Sequence, residues 1–574
     1  MKIKHFGLLV SALALAAGLS ACKRIENAPP AVSDSQAWAK FSDQFLAGYF
    51  KLNPGTAVYV GKHELDGQLP DWSKEGLQKQ AEFLKNAIDN AEDFDAGTLS
   101  ADQRMERNYL VSVAKGDLFW IEDADAPHKN VTWYFDNGLD PNVYIARPYA
   151  DAPTRMKAFI AYAKAIPTAA AQMKANLSAP MPLSFVNYAV PGFKGYADYY
   201  TSDAMAAFAG VKDPALQAEF DAAAKAASAA MNDLSVWMEG KKATATQDFA
   251  LGEARFRRML LDNEAVDSSI EELEAAGKAD LKRNQDALKV ECAKYLPGGT
   301  IQACMAKMNA SKPEGGPVVE ARRQLPGLRQ FLITNKIVTI PSPDPAQVEE
   351  SPPYNRQNSA YIDPPQPFDP GLPAVYYISP PDPKWTPEEQ ANFIPGKNDL
   401  LFTSVHEVWP GHFLQFLHSN KAKSDFRKTF VGYAFAEGWA HYSEEMMWEA
   451  GLGKGDPETH IGQLSNALLR NCRYLSAIGL HAKGMTQDQS KQFFITECYQ
   501  DEGTAKQQSA RGTYDPSYLN YTLGKLMIRK LREDWTKGDR TKWQAFHDQF
   551  LSYGGPPIPL VRAAMMGGEA KAVF

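Results

Sequence analysis

Residues 406 to 412 read His-Glu-Val-Trp-Pro-Gly-His, and Glu437-Gly438-Trp439-Ala440 follows downstream. Two histidines, an adjacent glutamate and a more distant acid are the parts of a hydrolytic zinc centre. Such a centre needs two or three neutral imidazoles or carboxylates as ligands, and one further carboxylate that takes a proton from the attacking water. His406 and Glu407 are neighbours, so on a helix they point to different faces and can serve the two purposes.

The spacing is unusual. In the familiar zinc motif the second histidine comes four residues after the first, on the same helical face. Here that position is Pro410, and the next histidine is His412. Six residues of regular helix turn about 240° beyond a full turn and rise about 9 Å, too far to share one ion. Pro410 has no amide hydrogen for the carbonyl of His406, and its ring crowds that turn. Gly411 permits backbone angles that other residues avoid. The expectation is a bulge or helix break at Pro410-Gly411 that returns His412 to His406. The plain alternative is a surface helix that ends at Pro410 and carries two unrelated histidines.

Phe435 to Trp448 reads as a helix, with apolar and aromatic residues at helical spacing. Glu437 is the expected third ligand, because its Ala, Phe, Gly and Trp neighbours suit an inward face. His441 lies four residues on, on the same side. It stands open as a fourth ligand, as a partner behind the ligands, or as a proton carrier.

These segments, extended by Phe413-Leu414-Gln415, resemble the bacterial lipoproteins grouped as domain of unknown function 885. Two further stretches carry the resemblance: Gly479-Leu480-His481 with Gly484-Met485-Thr486, and Arg511-Gly512-Thr513-Tyr514-Asp515-Pro516 leading to Tyr521-Thr522-Leu523-Gly524-Lys525. The resemblance covers most of the mature chain. That family is similar in turn to the gluzincin peptidases, which hold zinc with two His and one Glu; thimet oligopeptidase and bacterial carboxypeptidases are among them. Two departures stand out: the residues inserted between His406 and His412, and His441 where many gluzincins have an Asp. The resemblance implies a mostly α fold, a large helical bundle enclosing a deep channel, with a small antiparallel sheet ahead of the active-site helix. It implies one Zn2+ per chain and an oligopeptide substrate.

Attack on an amide carbonyl builds an oxyanion, and donors aimed at that oxygen lower the barrier. His481, Tyr514, Tyr518 and Tyr521 are candidates, with Tyr521 first by resemblance; each could equally be packing in the core. Arg470, Arg473 and Arg511 could pair with a peptide's terminal carboxylate or with a nearby acid. The β signals are few: 336–340 and 374–378. By analogy with gluzincins, residues 374 to 379, with Tyr376 and Tyr377, are expected to offer a strand edge to an extended peptide. Ordinary scaffolding is the alternative.

Lys2 and Lys4 precede an apolar run from Phe6 to Leu19, then Leu19-Ser20-Ala21-Cys22. This describes a secretory signal over 1–21, too short for an ordinary membrane span. The Cys resembles a lipobox, so Cys22 is expected to carry lipid, with residues 22–35 as a flexible tether. Lys23 rather than Asp favours the outer membrane, facing the periplasm. Residues 36–574 read as one helical peptidase domain, with an Ala-rich half to about 330 and a zinc-bearing half from about 331. Export permits disulfides: Cys292 with Cys304 across a Pro-Gly-Gly turn, and Cys472 with Cys498 as a second candidate. A net charge of −7 with both signs interspersed leaves no basic stripe for nucleic acid. The function expected is zinc-dependent hydrolysis of peptide bonds in oligopeptides. The alternatives are a peptidase or amidase acting on cell-wall peptides, and a non-catalytic peptide-binding lipoprotein with a degenerate metal site.

Overall fold

The computed structural model of the protein describes residues 34–352, 356 and 359–574. The expected signal, Cys22 and nearly all of the tether lie outside them. Helices dominate, as the Ala-rich periodicity predicts. The helix Pro214–Lys241 shows why: Asp213 accepts from the amides of Ala215 and Leu216, Pro214 opens the first turn, and one stripe (Leu216, Phe220, Ala223, Ala227, Met231, Leu234, Met238) is buried. Each large side chain in such a stripe contributes about 1.5–3 kcal/mol by leaving water. The stripe packs on Ala152–Asn176 and Leu183–Thr201. Ser228 and Ser235 tie it to the latter through the carbonyls of Ala197 and Val190, at 2.7 and 2.9 Å.

One apolar core gathers helices from the N-terminal part, between Val58 and Met238. A second runs from Phe119 and Phe256 to Val561 and surrounds the 406–441 region. The helices between Glu253 and Asn335 contribute to this second core, and the first of them, Glu253–Glu264, also packs on the N-terminal helix Ala101–Leu118, where Ser112 donates to the Asp262 carbonyl at 3.1 Å.

The sheet is small and mixed rather than antiparallel throughout. Strands β1 (Gln347–Glu350), β2 (Ala360–Asp363) and β3 (Val375–Ile378) lie in the order β1-β3-β2. β1 runs parallel to β3 and β2 antiparallel to it. Because β3 is central, both its edges are occupied, so the expected peptide-binding edge at 374–379 is not there. Tyr376 is buried, and Tyr377 stacks on Tyr361 at 5.1 Å. Residues 336–340 are not a strand either. Lys336 caps the preceding helix at φ 49°, and the next residues bind the C-terminal part: Ile337 accepts from His547 at 2.6 Å and the Thr339 amide donates to Asp548 at 2.8 Å.

Both disulfides are formed. Cys292–Cys304 joins the helix Ile270–Tyr295 to the one after it, and Cys472–Cys498 joins Pro457–Ala482 to Gln487–Cys498. Beneath the candidate site a buried ion network locks four helices together. Lys525 reaches Asp280 at 2.5 Å and Glu445 at 3.3 Å; Arg283 reaches Glu445 at 2.7 Å; Asn471 donates to Asp280 at 2.8 Å. Against the burial that would raise it, Lys525 and Arg283 hold the Asp280 carboxyl far below the usual range. Removing one partner from such a network costs about 3–5 kcal/mol.

Candidate metal centre

The helix Lys397–Glu407 stops where Pro410 requires, and a new helix, His412–Ser419, begins at the second histidine. The Gly411 amide donates to the carbonyl of Val405 at 2.9 Å, folding the turn back on the first helix. A Cβ at Gly411 would stand 1.6 Å from the carbonyl oxygen of His406. Close approach, not an unusual φ, is therefore what requires glycine here. The break brings the two imidazoles together at right angles, with ring centroids 4.8 Å apart.

Glu437 arrives from the helix Tyr433–Glu449. Its Oε2 lies 3.2 Å from His406 Nε2 and 3.3 Å from His412 Nε2. The three donors all lie within 4.8 Å of one another. Ligands about 2.0–2.1 Å from a tetrahedral zinc ion are about 3.4 Å from each other. The donor types and spacing therefore fit a divalent metal ion. Glu437 lies deep in the protein yet keeps 20% of its side-chain surface accessible. Although burial opposes it, the imidazoles of His412 and His406 hold its carboxyl well below the usual range.

His406 is oriented from behind. Its Nδ1 lies 2.7 Å from Oε1 of Glu444, a fully buried residue. Against burial, the hydrogen bonds to Glu437 and Glu444 push the His406 imidazole up to about 9. Burial would raise Glu444, but Arg470, His441 and His406 hold it well below the usual range. Sequence reasoning missed Glu444. The signal was its place two helical turns after Glu437, which puts both acids on one face. His441 is not among the three donors; its Nδ1 turns to Glu444 Oε2 at 3.2 Å. Burial lowers its pKa to about 4, so it is neutral and donates to that carboxylate.

Glu407 is buried, and among the described residues no hydrogen bond or ion pair engages its carboxylate. Its neighbourhood includes Tyr376, whose phenol is raised by burial and then by Glu407. The Tyr521 ring stacks over His406 at 6.2 Å. It gets there because two helices cross at glycines: a Cβ on Gly438 would lie 2.5 Å from the Cα of Gly524. Tyr433, also unforeseen, packs on Tyr521 at 5.8 Å and accepts from Arg511 at 2.9 Å.

Other candidates lie outside the cluster. His481 uses both ring nitrogens on backbone, accepting from the Leu251 amide at 3.3 Å and donating to the Gly512 carbonyl at 2.7 Å. It has no donor left for an oxyanion. Tyr518 is fully buried in the core. Tyr514 packs on Tyr188 at 4.7 Å, at the junction with the N-terminal helices. Arg511 pairs with Asp515 at 2.9 Å.

Residues 54–565 match the family described as "Bacterial protein of unknown function (DUF885)". The chain belongs to this family. No curated protein sequence matches it. Among solved structures it is similar to a candidate lipoprotein of unknown function from Shewanella oneidensis, at 25% identity and a TM-score of 0.75, over 92% of this chain and 99% of that one. A candidate lipoprotein from Colwellia psychrerythraea shares the fold at 18% identity and a TM-score of 0.77, over 93% and 99% of the two chains. A carboxypeptidase from Pyrococcus furiosus aligns at 11% identity over 93% and 97%, but its TM-score of 0.35 carries no argument.

Proposed function

We propose that this member of the family is a lipid-anchored zinc metallopeptidase of the cell envelope, hydrolysing peptide bonds in oligopeptides. One observation carries the reading: the donor atoms of His406, His412 and Glu437 converge within 4.8 Å of one another, and Glu407, next to His406 in the chain, is buried with no hydrogen bond or ion pair among the described residues. A zinc ion held by those three would supply a Lewis acid for water and for the amide carbonyl. Glu407 takes the proton of the attacking water and returns it to the amine leaving group. Glu444 accepts a hydrogen bond from Nδ1 of His406, so Nε2 is the nitrogen that would face the ion. Tyr521, stacked on His406, stabilises the oxyanion in place of His481.

The accessible yet deeply enclosed Glu437 supports a narrow approach, suited to oligopeptides rather than folded proteins. The description of the two structural neighbours as candidate lipoproteins supports an anchor through lipid on Cys22, and Lys23 directly after it favours the outer membrane, facing the periplasm. Two disulfides suit that oxidising compartment. Among the described residues no helix is long and apolar enough to cross a membrane.

The test is metal content and turnover together. Protein prepared without added metal is analysed for bound zinc, then offered pooled peptides and, separately, purified cell-wall peptides. Expected are one zinc per chain and cleavage of the pooled peptides. Glu407→Gln should keep the zinc and lose at least about 100-fold in turnover. A protein with neither metal nor hydrolysis, or an active Glu407→Gln, overturns the assignment.

A further inference from the structure

Three guanidiniums surround one phenol ring beside the candidate centre. Arg470 and Arg473 come from the helix Pro457–Ala482, and Arg511 from Glu502–Tyr514. Their carbons lie 5.9, 4.8 and 6.0 Å from the centre of the Tyr521 ring. Two of them are matched by acids: Arg470 lies 3.6 Å from Glu444, and Arg511 lies 2.9 Å from Asp515. The nearest one, Arg473, is not. Among the described residues no carboxylate comes within ion-pair reach of it, and its Nε donates to a neutral group, Gln508 Oε1, at 2.8 Å. It is only 8% exposed.

A buried charge without a counter-ion is costly, and proteins rarely keep one. Burial weighs against the charge of Arg473, and the repulsion of Arg511 and Arg470 adds to it. A guanidinium still does not give up its proton at ordinary pH. The missing negative charge must therefore come from outside the chain. With Nε committed to Gln508, the two Nη groups remain, which is the fork that meets a carboxylate.

Tyr521 fixes where that carboxylate sits, since its ring touches both His406 and Arg473. A peptide with its scissile amide at His406, His412 and Glu437 reaches Arg473 across this ring. The two ring distances, 6.2 and 4.8 Å, bound the gap, and at about 3.3–3.6 Å per extended residue it is about three residues at most. The same positive cluster repels an α-ammonium, which fixes the polarity of the chain.

We infer that Arg473 receives the free C-terminal carboxylate of the substrate, so that the protein removes residues from the C-terminal end of short peptides. This rests on the proposed peptidase activity. It narrows that activity to an exopeptidase and gives Arg473 the anchoring role.

The test compares pooled tetrapeptides with free C-termini against the same pool amidated, with products read by mass spectrometry. The wild-type protein should cleave the free acids at least about 100-fold faster, because amidation leaves a buried cation unpaired. Arg473→Gln should abolish the discrimination, and Arg473→Lys should keep part of it; loss of fold alone would not change the acid-to-amide ratio. Equal cleavage of both pools by the wild type overturns the inference and leaves the peptidase reading intact. So does an unchanged ratio in Arg473→Gln. Rescue of the amidated pool by a terminal Glu side chain would overturn the C-terminal assignment. If neither pool is cleaved, the peptidase reading fails first, and calorimetric binding of the two pools decides the anchor. Preference for the acids keeps the Arg473 carboxylate site, and equal or absent binding removes it.

Discussion

Oε1 of Glu444 lies 2.7 Å from Nδ1 of His406, one helix away from the chain break that presents His412. The contact holds the His406 ring from its Nδ1 side, while Glu437 meets Nε2 at 3.2 Å and Tyr521 stacks on its face. The same carboxylate faces Arg470 and His441, so it is surrounded by groups that keep it ionised. Replacing Glu444 by Gln keeps an acceptor for Nδ1 but removes the negative charge. Metal affinity should drop about 10–100-fold, as for other partners behind metal ligands, while the three donors stay in place. Equilibrium dialysis with zinc checks this. Glu444→Ala should in addition lower stability by about 3–5 kcal/mol, because Arg470 is left buried without its acid.

Gly411→Ala tests whether the break in the first motif is structural necessity. The added methyl would meet the His406 carbonyl at 1.6 Å, well inside any tolerable contact. The turn must open, and His412 must leave Glu437. The expected outcome is a chain that retains most of its helical circular dichroism but binds no stoichiometric zinc. Normal zinc content in Gly411→Ala would mean that the turn has room which the geometry denies.

The convergence of His406, His412 and Glu437 was legible in the sequence because its causes are local. Pro410 and Gly411 announce a helix break between two histidines, and Glu437 sits in an apolar helical context that marks an inward face. The Cys292–Cys304 pair was legible for the same reason, being a short span across a turn. What was not legible depends on long-range packing. Glu444 is an ordinary helical acid until another helix brings His406 against it. Arg473 looks like its neighbours Arg470 and Arg511 until the folded structure shows that only they have acids. The β3 segment has a strand's composition, but composition does not say whether a strand is central or at an edge. His481 has the right residue type for catalysis, yet the fold commits both nitrogens to backbone.

Glu264 should give stability a pH slope. It is buried at the start of the helix that carries Glu437, where it accepts from the Ala434 amide at 3.0 Å and from Asn520 at 3.2 Å. Burial pushes its carboxyl up to about 8, against the backbone hydrogen bonds that lower it. Unfolded, it titrates near 4.5. Between those values the folded state binds more protons than the unfolded state, so stability falls as pH rises. The slope from this one group is at most about 1.4 kcal/mol per pH unit, and it vanishes above pH 8. Urea denaturation from pH 5 to pH 8 should show that slope in the wild type and a flatter profile in Glu264→Gln, which keeps an acceptor for Ala434.

Gly524 sets the distance between Tyr521 and the metal donors. A Cβ there would lie 2.1 Å from the Ala434 carbonyl and 2.6 Å from the Cα of Gly438, so Gly524→Ala forces two helices apart at their crossing. One of those helices carries Glu437 and the other carries Tyr521. Neither residue is altered, but their separation is. Overpacking of this kind costs about 1–3 kcal/mol, leaving a folded protein. Displacement of a positioned group by about 1 Å can cost 100-fold in rate. Gly524→Ala should therefore lose far more turnover than melting temperature, and it should bind zinc more weakly. Gly484→Ala, remote from the crossing and with no atom within 4 Å of its added carbon, is the comparison, strained only by its φ of +70°. If the two variants lose turnover in equal measure, the helix crossing does not control the geometry at Tyr521.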